Sequence, residues 1–352
     1  MARKIIILGA TGSIGENAID IVRTHRDQFE IVAVAALRSR EKCEMIAREF
    51  GARAYVGESA ACAAVEENAA DVCLVATVGV SGLRPTLLAI DKGMDIALAT
   101  KEVLVMAGEL VMGRANAKGV RFLPVDSEHN AIFQCLQGGG VVERLILTAS
   151  GGPFLDAPDD LSRVTVEEAL NHPRWKMGAK VTIDSSTMMN KGFEILEAHW
   201  LFGVSVRNIE VIVHPESIVH SLVTFEDGST LAQMSPPDMR VPIQYALSHP
   251  QRLPAVRERL DLPAIGALTF RPPDENRFPC LRLVREACEA GGCASAVLAA
   301  ADEWAVKAFL ERRIGYVEIA QTVERCLEKA PRFACDSLES VMEANDWVWK
   351  FL

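Results

Sequence analysis

Lys4-Ile5-Ile6-Ile7-Leu8 is a short apolar run that stops at Gly9-Ala10-Thr11-Gly12-Ser13-Ile14-Gly15, after which Ile14, Ala18, Ile21 and Val22 recur at helical spacing. Strand, glycine turn, helix is the reading, and no other stretch limits the fold as strongly. The glycines permit a tight turn and leave backbone N–H groups and a helix N-terminus facing a pyrophosphate. The spacing G-x-x-G-x-x-G is a variant of the dinucleotide fingerprint, weak alone and strengthened by its place between strand and helix. A second strand over residues 30–36 ends in Leu37-Arg38-Ser39-Arg40. A ribose 2′-hydroxyl calls for an acid there and a 2′-phosphate for arginine, so the expected cofactor is NADP(H).

Further strands are expected at residues 71–76, 95–99 and 121–125, separated by helical patterns. Such alternation means a doubly wound parallel sheet whose ligands gather beyond the carboxyl ends of the strands. Those ends are residues 9–15, residues 77–80, Thr100-Lys101-Glu102 and Asp126-Ser127-Glu128. On an extended backbone Asp126 and Glu128 project to one side and form a candidate metal face. The rival reading is a solvated turn whose acids favour the start of the following helix. A glycine loop, a lysine and paired acids collected along one edge weigh toward the metal.

After Gly138-Gly139-Gly140 the alternation stops, and a strand over residues 145–148 leads into Ala149-Ser150-Gly151-Gly152, either a backbone nest for an anion or a plain turn. Thr165 and Glu168 make a capping box. Asn171-His172-Pro173-Arg174-Trp175-Lys176-Met177-Gly178 reads as a lid closing on a charged ligand, against the plainer possibility of a surface loop with a packing tryptophan. Asp184-Ser185-Ser186-Thr187-Met188-Met189-Asn190-Lys191 precedes an amphipathic helix and offers hydroxyls, an amide and a lysine to a phosphate. Glu194 is either a third carboxylate ligand or a helix-start acid. Carboxylates without a cysteine or histidine cluster select Mg2+ or Mn2+ over zinc.

Residues 209–213, 217–225 and 229–234 alternate as strands of a sheet that forms a dimer contact or backs the site, with His214 and His220 structural. The expected fold class is α/β: a doubly wound parallel dinucleotide-binding sheet, then an α+β catalytic domain and a C-terminal helical bundle. The expected domains are residues 1–126 for NADPH, 127–248 for catalysis and dimerisation with a lid over about 150–180, a linker over 249–273, and helices over 274–352.

Composition narrows the function class. A net charge of −10 without a long basic run argues against nucleic acid or an anionic membrane as partner. The nine cysteines are odd in number and contain no Cys-x-x-Cys, as in reduced cytosolic proteins. The apolar run at residues 5–8 is too short for a secretory leader, and no run approaches the roughly 20 residues that span a bilayer. A cytoplasmic enzyme is the expectation.

Taken together, these stretches resemble the 1-deoxy-D-xylulose 5-phosphate reductoisomerase family. The resemblance rests on residues 8–15, Lys101-Glu102, residues 124–134, Ser150-Gly151-Gly152-Pro153-Phe154, His172-Pro173-Arg174-Trp175, Met188-Met189-Asn190-Lys191-Gly192 with Glu194, and Pro237-Asp238-Met239-Arg240. It implies an NADPH- and metal-dependent oxidoreductase that makes 2-C-methyl-D-erythritol 4-phosphate for isoprenoid precursors, working as a homodimer on a small phosphorylated sugar. It implies that Asp126, Glu128 and Glu194 hold the metal and, with Lys101, serve catalysis. Ser150, Ser185, Asn190 and Lys191 would hold the substrate phosphate with His172 close by. Ser127 would contact the reacting end alongside Lys101, and Trp175 would cover the substrate. Thr11, Gly12, Ser13, Ile14, Arg38, Ser39, Thr100, Glu102, Met177 and Gly178 would line the cofactor. Leu37 stands where the family usually has glycine, and Thr100 where it has asparagine.

Two other readings remain at this level. A semialdehyde dehydrogenase would need an activated thiol, for which Cys135 is the nearby candidate. A dinucleotide-sensing binding protein would need no metal.

Overall fold

The computed structural model describes residues 2–157, 160–175, 177–256 and 258–352. It divides into two compact units, one of Met1–Val103, Val111–Phe133 and Asp238–Leu260, the other of Leu104–Leu110, Gln134–Pro237 and Asp261–Leu352.

The first unit runs β1 (Arg3–Leu8), α1 (Ser13–Thr24), β2 (Phe29–Ala36), α2 (Arg40–Phe50), β3 (Arg53–Val56), α3 (Ala60–Glu67), β4 (Val72–Val75), α4 (Leu83–Asp91), β5 (Asp95–Leu98), α5 (Glu102–Lys118), β6 (Phe122–Pro124) and α6 (Ser127–Cys135). Its strands are all parallel in the order β3-β2-β1-β4-β5-β6. That is the doubly wound dinucleotide order, reversing between β1 and β4. Continuous apolar runs in β1 and β4 follow from burial on both faces. Ile5, Ile7, Val34, Leu74 and Leu123 share a core with Ile243, Ala246 and Leu247, which come from far along the chain.

The second unit contains β7 (Val142–Ala149), α7 (Val166–Ala169), α8 (Ala179–Ser186), α9 (Met189–Phe202), β8 (Ile209–Val213), β9 (Val219–Phe225) and β10 (Thr230–Met234). The next helix, α10 (Arg240–Ser248), lies in the first unit; α11 (Leu262–Ile265), α12 (Cys280–Ala290), α13 (Ala294–Leu310), α14 (Val317–Lys329) and α15 (Leu338–Phe351) complete the second. The second unit's sheet is mixed, ordered β10-β9-β7-β8, with β7 parallel to β8 and antiparallel to β9.

This division differs from the expected boundaries, for reasons of packing. The buried residues of α10 belong to the core under α1, so that segment leaves the catalytic stretch expected over residues 127–248. A Cβ on Gly192 would stand 2.5 Å from Val284, so α9 and α12 are in close contact and the C-terminal helices share a unit with the mixed sheet. Residues 249–273 are not a plain linker: they include α11 and Arg271, which pairs with Val213. α5 breaks at Ala107 (φ −140°, ψ 30°), where Gly108 leaves room for the indole of Trp200.

Candidate active site

In the first unit the parallel sheet brings four strand ends to one edge. Gly9 has φ 86°, and a Cβ there would stand 2.1 Å from the Ala76 carbonyl oxygen. A Cβ on Gly15 would stand 2.4 Å from the Gly9 oxygen, so the turn admits only glycine at both positions. Gly12 caps α1 without a side-chain hydrogen bond, and Gly12 and Ser13 are exposed beside partly buried Thr11 and Ile14. Backbone donors at a helix start, with space above them, fit a pyrophosphate. Beyond β2, Leu37, Arg38 and Ser39 are exposed and no acid stands at the strand end.

At the end of β5, Thr100 is buried, and its hydroxyl donates to the Thr77 carbonyl at 2.8 Å. The following residues, Lys101 and Glu102, start α5 half-buried. Lys101 forms an ion pair with Asp126, both side chains being mostly buried. Asp126 precedes α6, its carbonyl accepting from the Asn130 N–H at 2.9 Å, while Glu128 lies in that helix's first turn. The extended backbone expected to align these acids is therefore absent; the strand-to-helix turn aligns them, bringing a carboxylate oxygen of each within 4.8 Å of the other. Ser127 donates to Glu128 at 2.5 Å. Asn130 fastens the turn by donating to the Pro124 and Pro242 carbonyls at 2.8 and 3.1 Å. Two hard oxygen donors this close suit a divalent cation.

Two neighbours were not assigned from sequence. His129 is buried, and a ring nitrogen approaches a carboxylate oxygen of Asp126 within 4.8 Å; its spacing of three from Asp126 at a helix start was the available signal. Val78, 76% exposed beyond β4, presents an apolar side chain at this edge; its place in the strand end at residues 77–80 was the available signal.

In the second unit the Ser150 loop has Gly151 at φ 87° and Gly152 at φ 65°. A Cβ on Gly152 would be 3.0 Å from the Ser185 carbonyl oxygen, so the loop backbone packs on the end of α8. His172 Nδ1 accepts from the backbone N–H groups of Arg174 and Trp175 at 3.2 and 2.9 Å. The proton therefore sits on Nε2, which donates to Ser150 Oγ at 3.1 Å. Burial pushes the His172 pKa down and favours this neutral ring. Trp175 and Met177 are half-buried and Gly178 is exposed, capping α8; Pro158, Asp159 and Lys176 of the expected lid lie outside the described residues.

The phosphate candidates occupy two helices rather than one approach to a helix. Ser185 is in the last turn of α8, while Asn190 and Lys191 open α9 after Met188, which has φ 64°. Asn190 donates to Glu194 Oε1 at 2.7 Å, and Lys191 forms an ion pair with Oε2. An acid that merely favours a helix start faces solvent and gains about 0.3–1 kcal/mol. Glu194 is 1% exposed, and burial of a carboxylate costs several kcal/mol unless cations or donors serve it. Asn190 and Lys191 supply that donor and that cation.

The rival nucleophile fails chemically. Cys135 is buried, its thiol pushed up to about 11 by desolvation, so little thiolate forms near neutral pH. His214 and His220 are buried; His214 accepts from the Ile218 and Val219 N–H groups, and His220 contacts the Ser235 carbonyl at 3.2 Å.

Family models match along the chain: "1-deoxy-D-xylulose 5-phosphate reductoisomerase" over residues 5–56 and 47–108, that enzyme's C-terminal domain over 122–202, and "DXP reductoisomerase C-terminal domain" over 234–351. A 1-deoxy-D-xylulose 5-phosphate reductoisomerase of Geobacillus kaustophilus is 50% identical, covering 97% of both chains. One of Ralstonia pickettii is 47% identical over 97% of this chain and 94% of its own. Among solved structures, the Zymomonas mobilis reductoisomerase in complex with NADPH superposes with a TM-score of 0.93 at 39% identity, covering 99% of this chain and 97% of that one. A DOX-P reductoisomerase in complex with NADPH, fosmidomycin and magnesium gives 0.93 at 38% identity with the same coverage.

Proposed function

Because the chain belongs to the 1-deoxy-D-xylulose 5-phosphate reductoisomerase family, we infer that it converts 1-deoxy-D-xylulose 5-phosphate to 2-C-methyl-D-erythritol 4-phosphate, using NADPH and a divalent metal. The observation that carries this reading is the sheet edge of the first unit, where a glycine-only turn, an arginine-bearing loop, the Lys101–Asp126 pair and Glu128 stand at neighbouring strand ends.

In this reading residues 11–14, Arg38, Ser39, Thr100, Glu102, Met177 and Gly178 hold NADPH, and Asp126, Glu128 and Glu194 share one Mg2+ or Mn2+. When bound, the cation supplies Lewis-acid polarisation of adjacent sugar oxygens, and NADPH supplies hydride for an aldehyde. The chain's own residues do the rest. Each proposed metal ligand is engaged by a residue assigned to the substrate: Asp126 by Lys101, Glu128 by Ser127, and Glu194 by Asn190 and Lys191. With a cation held by the three acids, these donors would be available to the substrate. Lys101 and Ser127 then face the reacting carbons, while Ser150, Ser185, Asn190 and Lys191 take the phosphate beside His172. Phosphate contacts lie away from the bonds that change, so their energy fixes orientation and draws Trp175 over the substrate, which excludes water.

Asp126→Asn tests the ligand assignment. Metal-dependent turnover should be lost while NADPH still binds, as read by quenching of tryptophan fluorescence; a variant with unchanged turnover contradicts the assignment. All nine cysteines are free thiols, which supports a reducing, cytoplasmic setting. Fractionation of cells expressing the chain checks this, and recovery mainly outside the cytoplasm refutes it.

A further inference from the structure

Arg277 lies just before α12 in a turn shaped by Asp274, whose carboxylate accepts from the backbone N–H groups of Asn276 and Arg277 at 3.2 and 3.1 Å. From there its guanidinium reaches a segment 120 residues earlier in the chain. Nη2 donates to the Phe154 and Ala157 carbonyls at 3.1 and 3.0 Å, and Nη1 points to the Leu155 carbonyl at 3.5 Å. These carbonyls belong to the turn that follows Ser150-Gly151-Gly152. Only a planar fork with several N–H groups can serve them together, which an ammonium cannot imitate in the same geometry.

The same turn is held on its other side. Phe154 is buried edge-on against Tyr316 with ring centroids 5.2 Å apart, and the Tyr316 hydroxyl donates to the Ser186 carbonyl at 2.6 Å. With Gly152 packed on the Ser185 carbonyl, the turn, the Ser150 loop and the end of α8 make one block carrying Ser150 and Ser185.

We propose that Arg277 is a positioning residue for the sugar phosphate: by clamping the carbonyls of residues 154–157 it presets the Ser150 loop, with its His172 partner, against Ser185. The inference rests on the assignment of these serines to the phosphate end of the substrate. Arg271 provides an internal control. It pairs with Asp156 of the same turn at 2.9 Å, but both side chains are solvated, and such pairs contribute little.

The test is steady-state kinetics of the full chain as wild type, Arg277→Ala, Arg277→Lys and Arg271→Ala, varying 1-deoxy-D-xylulose 5-phosphate and NADPH separately. Arg277→Ala should raise KM for the sugar phosphate by about tenfold or more, the scale of one charged hydrogen bond or two, and leave KM for NADPH unchanged. Added guanidinium ion should restore part of the loss, Arg277→Lys should fall between, and Arg271→Ala should match wild type. If Arg277→Ala does not fold, Arg277→Lys carries the measurement. Lowered thermal stability with wild-type KM for the sugar phosphate overturns the proposal. A wild-type chain that oxidises no NADPH with this substrate overturns the underlying assignment instead.

Discussion

At the scale of single residues, His172 shows how a neutral imidazole is made useful. Its Nδ1 is committed to two backbone donors and its Nε2–H to Ser150, so a second proton would have to displace the contacts of Arg174 or Trp175. Burial holds the folded ring below its ordinary value of 6.5, while the unfolded chain takes up the proton there. Proton uptake by the unfolded state alone makes stability rise with pH through that window. The neutral ring thus costs nothing above 6.5, and the folded state loses ground as pH falls below it. Denaturant unfolding between about pH 7.5 and about pH 5.5 should show wild type losing more stability than His172→Gln. His249 is shifted in the same direction by burial, so a slope remains in the variant and the difference reports His172. Equal slopes for both proteins would remove His172 from the account.

At the scale of elements, the turn from β1 into α1 is the part least tolerant of change. An added methyl at Gly15 meets the Gly9 oxygen at 2.4 Å and the Ala10 Cα at 2.6 Å, both backbone atoms that cannot swing aside. Gly15→Ala should cost about 1–3 kcal/mol, the range for overpacking, and weaken NADPH binding. Calorimetry of both is the check, and an unchanged melting temperature and NADPH affinity would contradict the close packing. This turn could be read from the chain alone because its apolar run, glycines and helical spacing are contiguous. β3 could not: Arg53–Val56 is a short edge strand without an apolar pattern. α8 was hidden by its mixed polar sequence around Asp184 and Ser185, and is secured by Lys180, which bridges Asp184 and Asp302 at 2.5 and 2.8 Å. Asp126 and Glu128 do come close, but at a strand-to-helix turn rather than along a strand of period two. The roles of Arg277 and α10 depend on partners more than 100 positions away, which no local pattern records.

At the scale of the whole molecule, chain order and compact units do not coincide, because α10 returns to the dinucleotide unit and the last helices join the mixed sheet. Most cofactor candidates and two carboxylates fall in the first unit; the cofactor candidates Met177 and Gly178, the phosphate candidates and Glu194 fall in the second. The homodimer that the family resemblance implies belongs to this scale. Sedimentation equilibrium should give twice the 38.3 kDa chain mass, and a monomer at micromolar concentration would refute it. Among the described residues no helix is long and apolar enough to cross a membrane. The central claim is a reduction that needs both NADPH and a divalent cation. Its most direct test follows the loss of NADPH absorbance on adding 1-deoxy-D-xylulose 5-phosphate to the purified chain, with and without chelator. Consumption that chelator stops and excess Mg2+ or Mn2+ restores is the predicted result; no consumption, or consumption indifferent to the chelator, contradicts it.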